Sequence, residues 1–128
     1  MKLGYTILYV QDVPTAIDFY ERAFGLKRRF LADEGTYGEL ETGETRLGLS
    51  KYEFACTLTP LEIEKPTAKT TFPIELGFAT DDVESAFQKA IAEGAVKVKA
   101  PEEKPWGQVV AYVKDIDGYL VEICTPMP

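Results

Sequence analysis

The chain has 128 residues, 45% of them hydrophobic and 12% aromatic, with a formal net charge of −7 and no histidine. That length suits about one domain with a sizeable core, and the acidic balance speaks against a nucleic-acid partner and mildly favours a neutral or cationic ligand. The missing imidazole excludes His-based acid–base catalysis, His-activated nucleophiles and His-ligated metals.

Residues 3–10, "LGYTILYV", read as a strand rich in β-branched and aromatic residues. A helix follows, with Asp12 as its N-cap, Pro14 in its first turn and Gly25 at its stop. Ala16, Ile17, Tyr20 and Phe24 recur at helical spacing along it. Three short strands are predicted next, at 26–32, 36–42 and 45–50, separated by turn residues at Asp33–Gly35 and Thr42–Glu44. Residues 51–72 have no clean period and hold Pro60 and Pro66; they read as a connection, with room for a short element of its own.

The second half repeats that order. A strand at 73–80 leads to a helix capped by Asp81 or Asp82 and stopped by Gly94, with Ala86, Phe87, Ala90 and Ile91 on one face. A strand at 95–100, a rigid loop at 101–105 ("PEEKP"), a strand at 106–114, a turn at Asp115–Gly118 and a strand at 119–125 complete it. An offset of 70 positions places Asp12-Val13 on Asp82-Val83 and Ala16 on Ala86, which with the matching order of elements favours a βαβββ duplication. Cys56 and Cys124 lack disulfide-framework or metal-site spacing and are expected to be reduced structural thiols. No apolar run approaches the roughly 18 residues of a membrane span, and the N-terminus does not read as a targeting segment. A cytoplasmic protein without a nucleic-acid or membrane partner is expected.

The stretches "YTILYVQDVPTAIDFYERAFGLK" (5–27) and "PWGQVVAYVKDIDGYLVEI" (105–123) resemble the vicinal oxygen chelate superfamily, which includes glyoxalase I, bleomycin-resistance proteins, fosfomycin-resistance proteins and extradiol dioxygenases. The resemblance covers essentially the whole chain. It implies an α+β fold of two βαβββ modules, 1–50 and 73–128 joined by a linker at 51–72, that form a cupped half-barrel sheet with helices on the convex side. It also implies a small-molecule ligand in the cup, a homodimer, and up to four metal ligands, which fall on Tyr5, Gly48, Glu75 and Glu122.

Strand alternation agrees with an inward direction for these positions. Tyr5, Ile7 and Tyr9 share one face of the first strand; Glu75, Gly77 and Ala79 share one face of the first strand in the second half; Glu122 lies with Leu120 and Cys124. The chain departs from metal-dependent members in offering a phenol, no side chain and two carboxylates. No cofactor is therefore expected; the alternative is Mg²⁺ or Mn²⁺ on Glu75 and Glu122, since both ions accept oxygen ligands.

Glu75 and Glu122 are either solvated strand residues or a cup pair in which each carboxylate disfavours ionisation of the other. Tyr5, Tyr9, Tyr37, Trp106 and Tyr112 are candidates for ligand-binding walls, against a packing role for the same rings. The run Lys27-Arg28-Arg29 reads as a solvated edge or a subunit contact, with a phosphate or carboxylate clamp as the other reading. The expected function is metal-free binding of an aromatic or cationic small molecule. The alternative is a glyoxalase-like lyase, isomerase or epimerase that uses Glu75 and Glu122 with Mg²⁺ or Mn²⁺, or one of them as general base. A third reading leaves the cup vestigial and gives the chain a role in association.

Overall fold

A computed structural model describes residues 1–127; Pro128, the last residue of the expected second module, lies outside them. The chain divides after Thr67 into two compact units. The first runs β1 (Tyr5–Val10), α1 (Val13–Phe24), β2 (Lys27–Leu31), β3 (Tyr37–Glu41), β4 (Arg46–Lys51) and a four-residue helix α2 (Tyr52–Ala55). The second runs β5 (Glu75–Ala79), α3 (Val83–Ala92), β6 (Val96–Glu103), β7 (Val109–Lys114) and β8 (Leu120–Cys124).

Each unit forms an open, mixed four-stranded sheet, in the order β1-β4-β3-β2 and β5-β8-β7-β6. The identical order, with a parallel β1/β4 pair matched by a parallel β5/β8 pair, bears out the predicted duplication. In each unit one helix covers one sheet face: α1 packs on β2, β3 and β4, and α3 on β6, β7 and β8.

Capping explains where the helices begin. Asp12 accepts the Thr15 N–H and Asp82 accepts the Ser85 N–H, in each case supplying a partner for a first-turn donor. Gly25, at φ 68°, closes α1 with its N–H on the Glu21 carbonyl, a left-handed position that costs glycine nothing. Behind α1 the core holds Ile17, Tyr20, Leu8, Leu40, Leu47 and Leu49; behind α3 it holds Phe87, Ala111, Val113, Val121 and Ile123. Those from the strands sit on the sheet positions that alternate with the candidate site residues, so burial of one face sets the other face outward.

Three sequence readings need correction. The 101–105 stretch is not wholly a loop, because β6 continues to Glu103. A register shift between Lys99 and Glu102 leaves Pro101 outside the paired positions, where its missing N–H costs no ladder bond. Nor does the next strand begin at Trp106: Gly107, at φ 92°, donates its N–H to the Lys104 carbonyl in a tight turn, and β7 starts at Val109. The stretch 51–72 is apportioned between the units rather than hanging between them. Tyr52 Oη donates to the Ile63 carbonyl and Gln11 Nε2 to the Pro66 carbonyl in the first unit. In the second, Lys114 Nζ donates to the Thr70 carbonyl and Phe72 stacks on Tyr119 at 4.5 Å. None of the described helices is long and apolar enough to cross a membrane.

Candidate functional site

In the second unit, three strands bring the candidate residues together. The β5/β8 register sets Gly77 beside Glu122 and Glu75 beside Leu120, and the β7/β8 register sets Tyr112 beside Glu122. The Asp115–Gly118 turn fixes that second register: Asp115 Oδ1 accepts the N–H groups of Asp117 (2.9 Å) and Tyr119 (2.8 Å), and Gly118 takes φ 95°. Gly77 leaves space next to the carboxylate, since a Cβ there would stand 3.8 Å from Glu122 Oε2.

Next to this row is an open cleft of about 500 Å³ lined by Phe72, Ile74, Val98, Tyr112 and Leu120, with Glu75 the charged group in its lining. Glu122 lies one strand over from Glu75 and two ladder positions along, between Gly77 and Tyr112. Burial, then the charge of Glu75, holds the Glu122 carboxyl above the usual carboxylate value. Burial, then Glu122 and Glu75, likewise raises the Tyr112 phenol, and burial followed by the same two carboxylates raises the Cys124 thiol. Among the described residues neither Glu75 nor Glu122 has an ion-pair or hydrogen-bond partner. The face therefore holds two carboxylates, a phenol and apolar walls; the cation beside it, Lys99 opposite Tyr112, is paired with Glu102 at 3.0 Å rather than with either carboxylate.

Trp106 does not line this cleft. It stands 55% exposed in the β6–β7 turn, where its Nε1–H donates to Gln108 Oε1 at 2.8 Å. Buried Gln108 is held in turn by donating to the Thr125 carbonyl at 2.8 Å.

Tyr5, Tyr9 and Tyr37 belong to the first unit. The β1/β4 and β3/β4 registers put all three on the sheet face away from α1, with Arg46, Gly48 and Ser50. The centre of that face is a residue the sequence reading passed over, Glu39, which is 5% exposed. Its Oε2 accepts the Tyr37 hydroxyl at 2.8 Å; its Oε1 lies 3.3 Å from Arg29 Nε and 3.9 Å from Arg46 Nη1. Burial and the bond to Glu39 push the Tyr37 phenol strongly upward. The run Lys27-Arg28-Arg29 is exposed on the terminal strand, as the solvated-edge reading expects, and it carries ion pairs there: Arg28 with Glu21, and Arg29 with Glu39 and Glu41. Alternation from Lys27, which stands opposite Glu41, already puts Arg29 on the Glu39 face; the bulge between Arg28 and Phe30 sets Phe30 opposite Glu39 as well.

The sequence profile of the glyoxalase-like domain matches residues 3–128. The chain belongs to the glyoxalase-like domain family. A curated relative of this family member, the uncharacterized protein YraH of Bacillus subtilis (strain 168), is 27% identical over 124 residues, covering 96% of this chain and 97% of the relative. Among solved structures, a glyoxalase-related enzyme from Fulvimarina pelagi superposes with a TM-score of 0.85 at 17% identity, covering 98% of this chain and 88% of that one. A glyoxalase/bleomycin resistance protein/dioxygenase family enzyme from Burkholderia phytofirmans PsJN gives 0.80 at 24% identity, with 98% of both chains covered. At those identities the two structures establish the vicinal oxygen chelate fold and no activity.

The donor set of this glyoxalase-like chain does not fit the metal site that the family resemblance implies. Gly48 offers no donor, and the space above it is taken: a Cβ built there would stand 2.5 Å from the Tyr37 hydroxyl oxygen. Among the described residues no group of three or more His, Cys, Asp or Glu side chains could hold a metal ion.

Proposed function

We propose that this glyoxalase-like protein binds a cationic small molecule with an aromatic or apolar body at the Glu75–Tyr112–Glu122 face, without a metal cofactor. The observation that carries the reading is the carboxylate pair without an ion-pair partner among the described residues, set beside an apolar cleft of about 500 Å³. A cationic group neutralises the mutual repulsion of the two acids, while Phe72, Ile74, Val98 and Leu120 supply apolar contact and Tyr112 an aromatic face. Calorimetric titration with benzyltrimethylammonium tests this. Saturable binding, weakened about tenfold in Glu122→Gln, is expected. A parent that takes up none of the probe, or a variant that binds equally well, contradicts it.

The raised Glu122 favours one second reading, a general acid–base role in a glyoxalase-like lyase, isomerase or epimerase. Turnover of a substrate that binds at this face, lost in Glu122→Gln with binding retained, is its mark. We further propose a homodimer in the cytoplasm. β1 and β2 of one sheet and β5 and β6 of the other are terminal in the strand order and call for cover, and Cys56 and Cys124 are both free thiols.

A further inference from the structure

We propose that the open sheet face of the first unit binds a small carboxylate with a flat apolar body, gripped by the Arg46 guanidinium and resting on Tyr5 and Ile7. This goes beyond the cation-binding reading of the second unit and does not depend on it.

Parallel pairing sets Tyr5 beside Arg46 and Ile7 beside Gly48, so the ring, the guanidinium and the isoleucine share one face. Tyr5 is 54% and Ile7 46% exposed, an apolar surface left open by the described residues. Arg46 is the under-used cation of that face. Its one ion-pair contact among the described residues is Glu39 at 3.9 Å, too long for a hydrogen bond, and a third of its side chain is exposed.

Glu39 cannot absorb the charge of both arginines. Its Oε1 is shared between Arg29 and Arg46, its Oε2 is occupied by the Tyr37 hydroxyl, and its side chain is almost wholly buried. A buried carboxylate holds its cations firmly, because leaving it unpaired is costly; Glu39 is therefore a positioning residue for Arg46. Arg29 is engaged a second time, by Glu41 at 3.4 Å, and Lys27 stands opposite Glu41 in the ladder. The face thus sets three cations, Lys27, Arg29 and Arg46, against two carboxylates, in a chain of net charge −7. A local positive excess on such a chain selects an anion. The planar fork of a guanidinium selects a carboxylate through two parallel hydrogen bonds. Position 48 itself carries no side chain, and the space over it is filled by the Tyr37 ring, which bounds the Arg46–Tyr5–Ile7 surface on that side.

Benzoate titrated into the ¹⁵N-labelled full chain, with the arginine Nε–H resonances observed, tests the assignment. A saturable shift at Arg46 is expected, with acetate and inorganic phosphate each binding several-fold more weakly because neither offers a flat apolar body. Arg46→Lys keeps a cation beside buried Glu39 and so preserves the fold, but loses the fork; benzoate affinity should fall about tenfold. Tyr5→Ala should weaken benzoate and leave acetate unchanged. The proposal is overturned by a parent whose Arg46 resonance does not respond to benzoate, by an Arg46→Lys variant that binds it as tightly, or by phosphate binding as well as benzoate.

Discussion

Replacing Gly48 by alanine adds one methyl group at a backbone position that tolerates it, for Gly48 is not among the positive-φ glycines. By backbone arguments alone the change should stabilise, by about 0.4–1 kcal/mol through the unfolded chain. The contacts say otherwise. The new Cβ would meet the Tyr37 hydroxyl oxygen at 2.5 Å, Cζ at 3.0 Å and Cε1 at 3.1 Å, where ordinary carbon contacts sit near 3.5–4.0 Å. The ring has to shift, and shifting it pulls the hydroxyl from Glu39 Oε2, now 2.8 Å away. Overpacking costs about 1–3 kcal/mol, and a buried acceptor deprived of a donor about 1–3 kcal/mol more. After the backbone gain, a net loss of about 1–5 kcal/mol is expected. Urea unfolding of Gly48→Ala, Tyr37→Ala and the double variant measures it. In the Tyr37→Ala background the methyl meets no ring, so the cost of Gly48→Ala should vanish and the cycle should show a coupling as large as the single-variant loss. A Gly48→Ala protein within about 0.5 kcal/mol of the parent, or additive single costs, would refute the packing argument.

Two further outcomes follow from the second unit. Because burial and Glu75 raise Glu122 in the folded chain, the folded state takes up that proton more readily than the unfolded one. The resulting stabilisation is complete below the unfolded carboxyl value and is lost as pH climbs through the raised folded value. Melts between about pH 4 and pH 8 should show this loss, and Glu75→Gln should shrink it and melt at or above the parent at neutral pH. Gln108→Leu removes the acceptor of Trp106 Nε1 and a donor to Thr125; it should cost about 1–2 kcal/mol and red-shift the emission of the single tryptophan with lower anisotropy, as read by steady-state fluorescence.

Much of the second-unit site was legible in the sequence because period-two alternation is a strong signal where the opposite face is apolar. Val121 and Ile123 are buried by α3's side of the sheet, so Glu122 between them had to face the other way. The same logic placed Glu75 with Gly77, and the 70-residue offset carried it to Tyr5. Glu39 was missed although the sequence held its signal. It lies two residues from Tyr37 on one strand, between alternating core positions Gly38 and Leu40. Its partners, Arg29 and Arg46, come from two other strands, and pairing across strands depends on register. Phe30 joins the same face only through a bulge that no local residue announces. Phe72, within a stretch read as a connector, joins the cleft through its stack on Tyr119, a contact set by tertiary packing rather than by period.

The central claim, a cation site made by Glu75 and Glu122 that works without metal, is tested most directly by thermal melts at neutral pH with benzyltrimethylammonium, Mg²⁺ or Mn²⁺, in the parent and in Glu75→Gln. Ligand at about a hundred times its dissociation constant stabilises by about 2.7 kcal/mol, enough for a clear rise in melting temperature. The organic cation should raise the parent's melting temperature and the metals should not, with the rise reduced in Glu75→Gln. A large rise with Mg²⁺ or Mn²⁺ that Glu75→Gln abolishes would contradict the account and make the face a metal site.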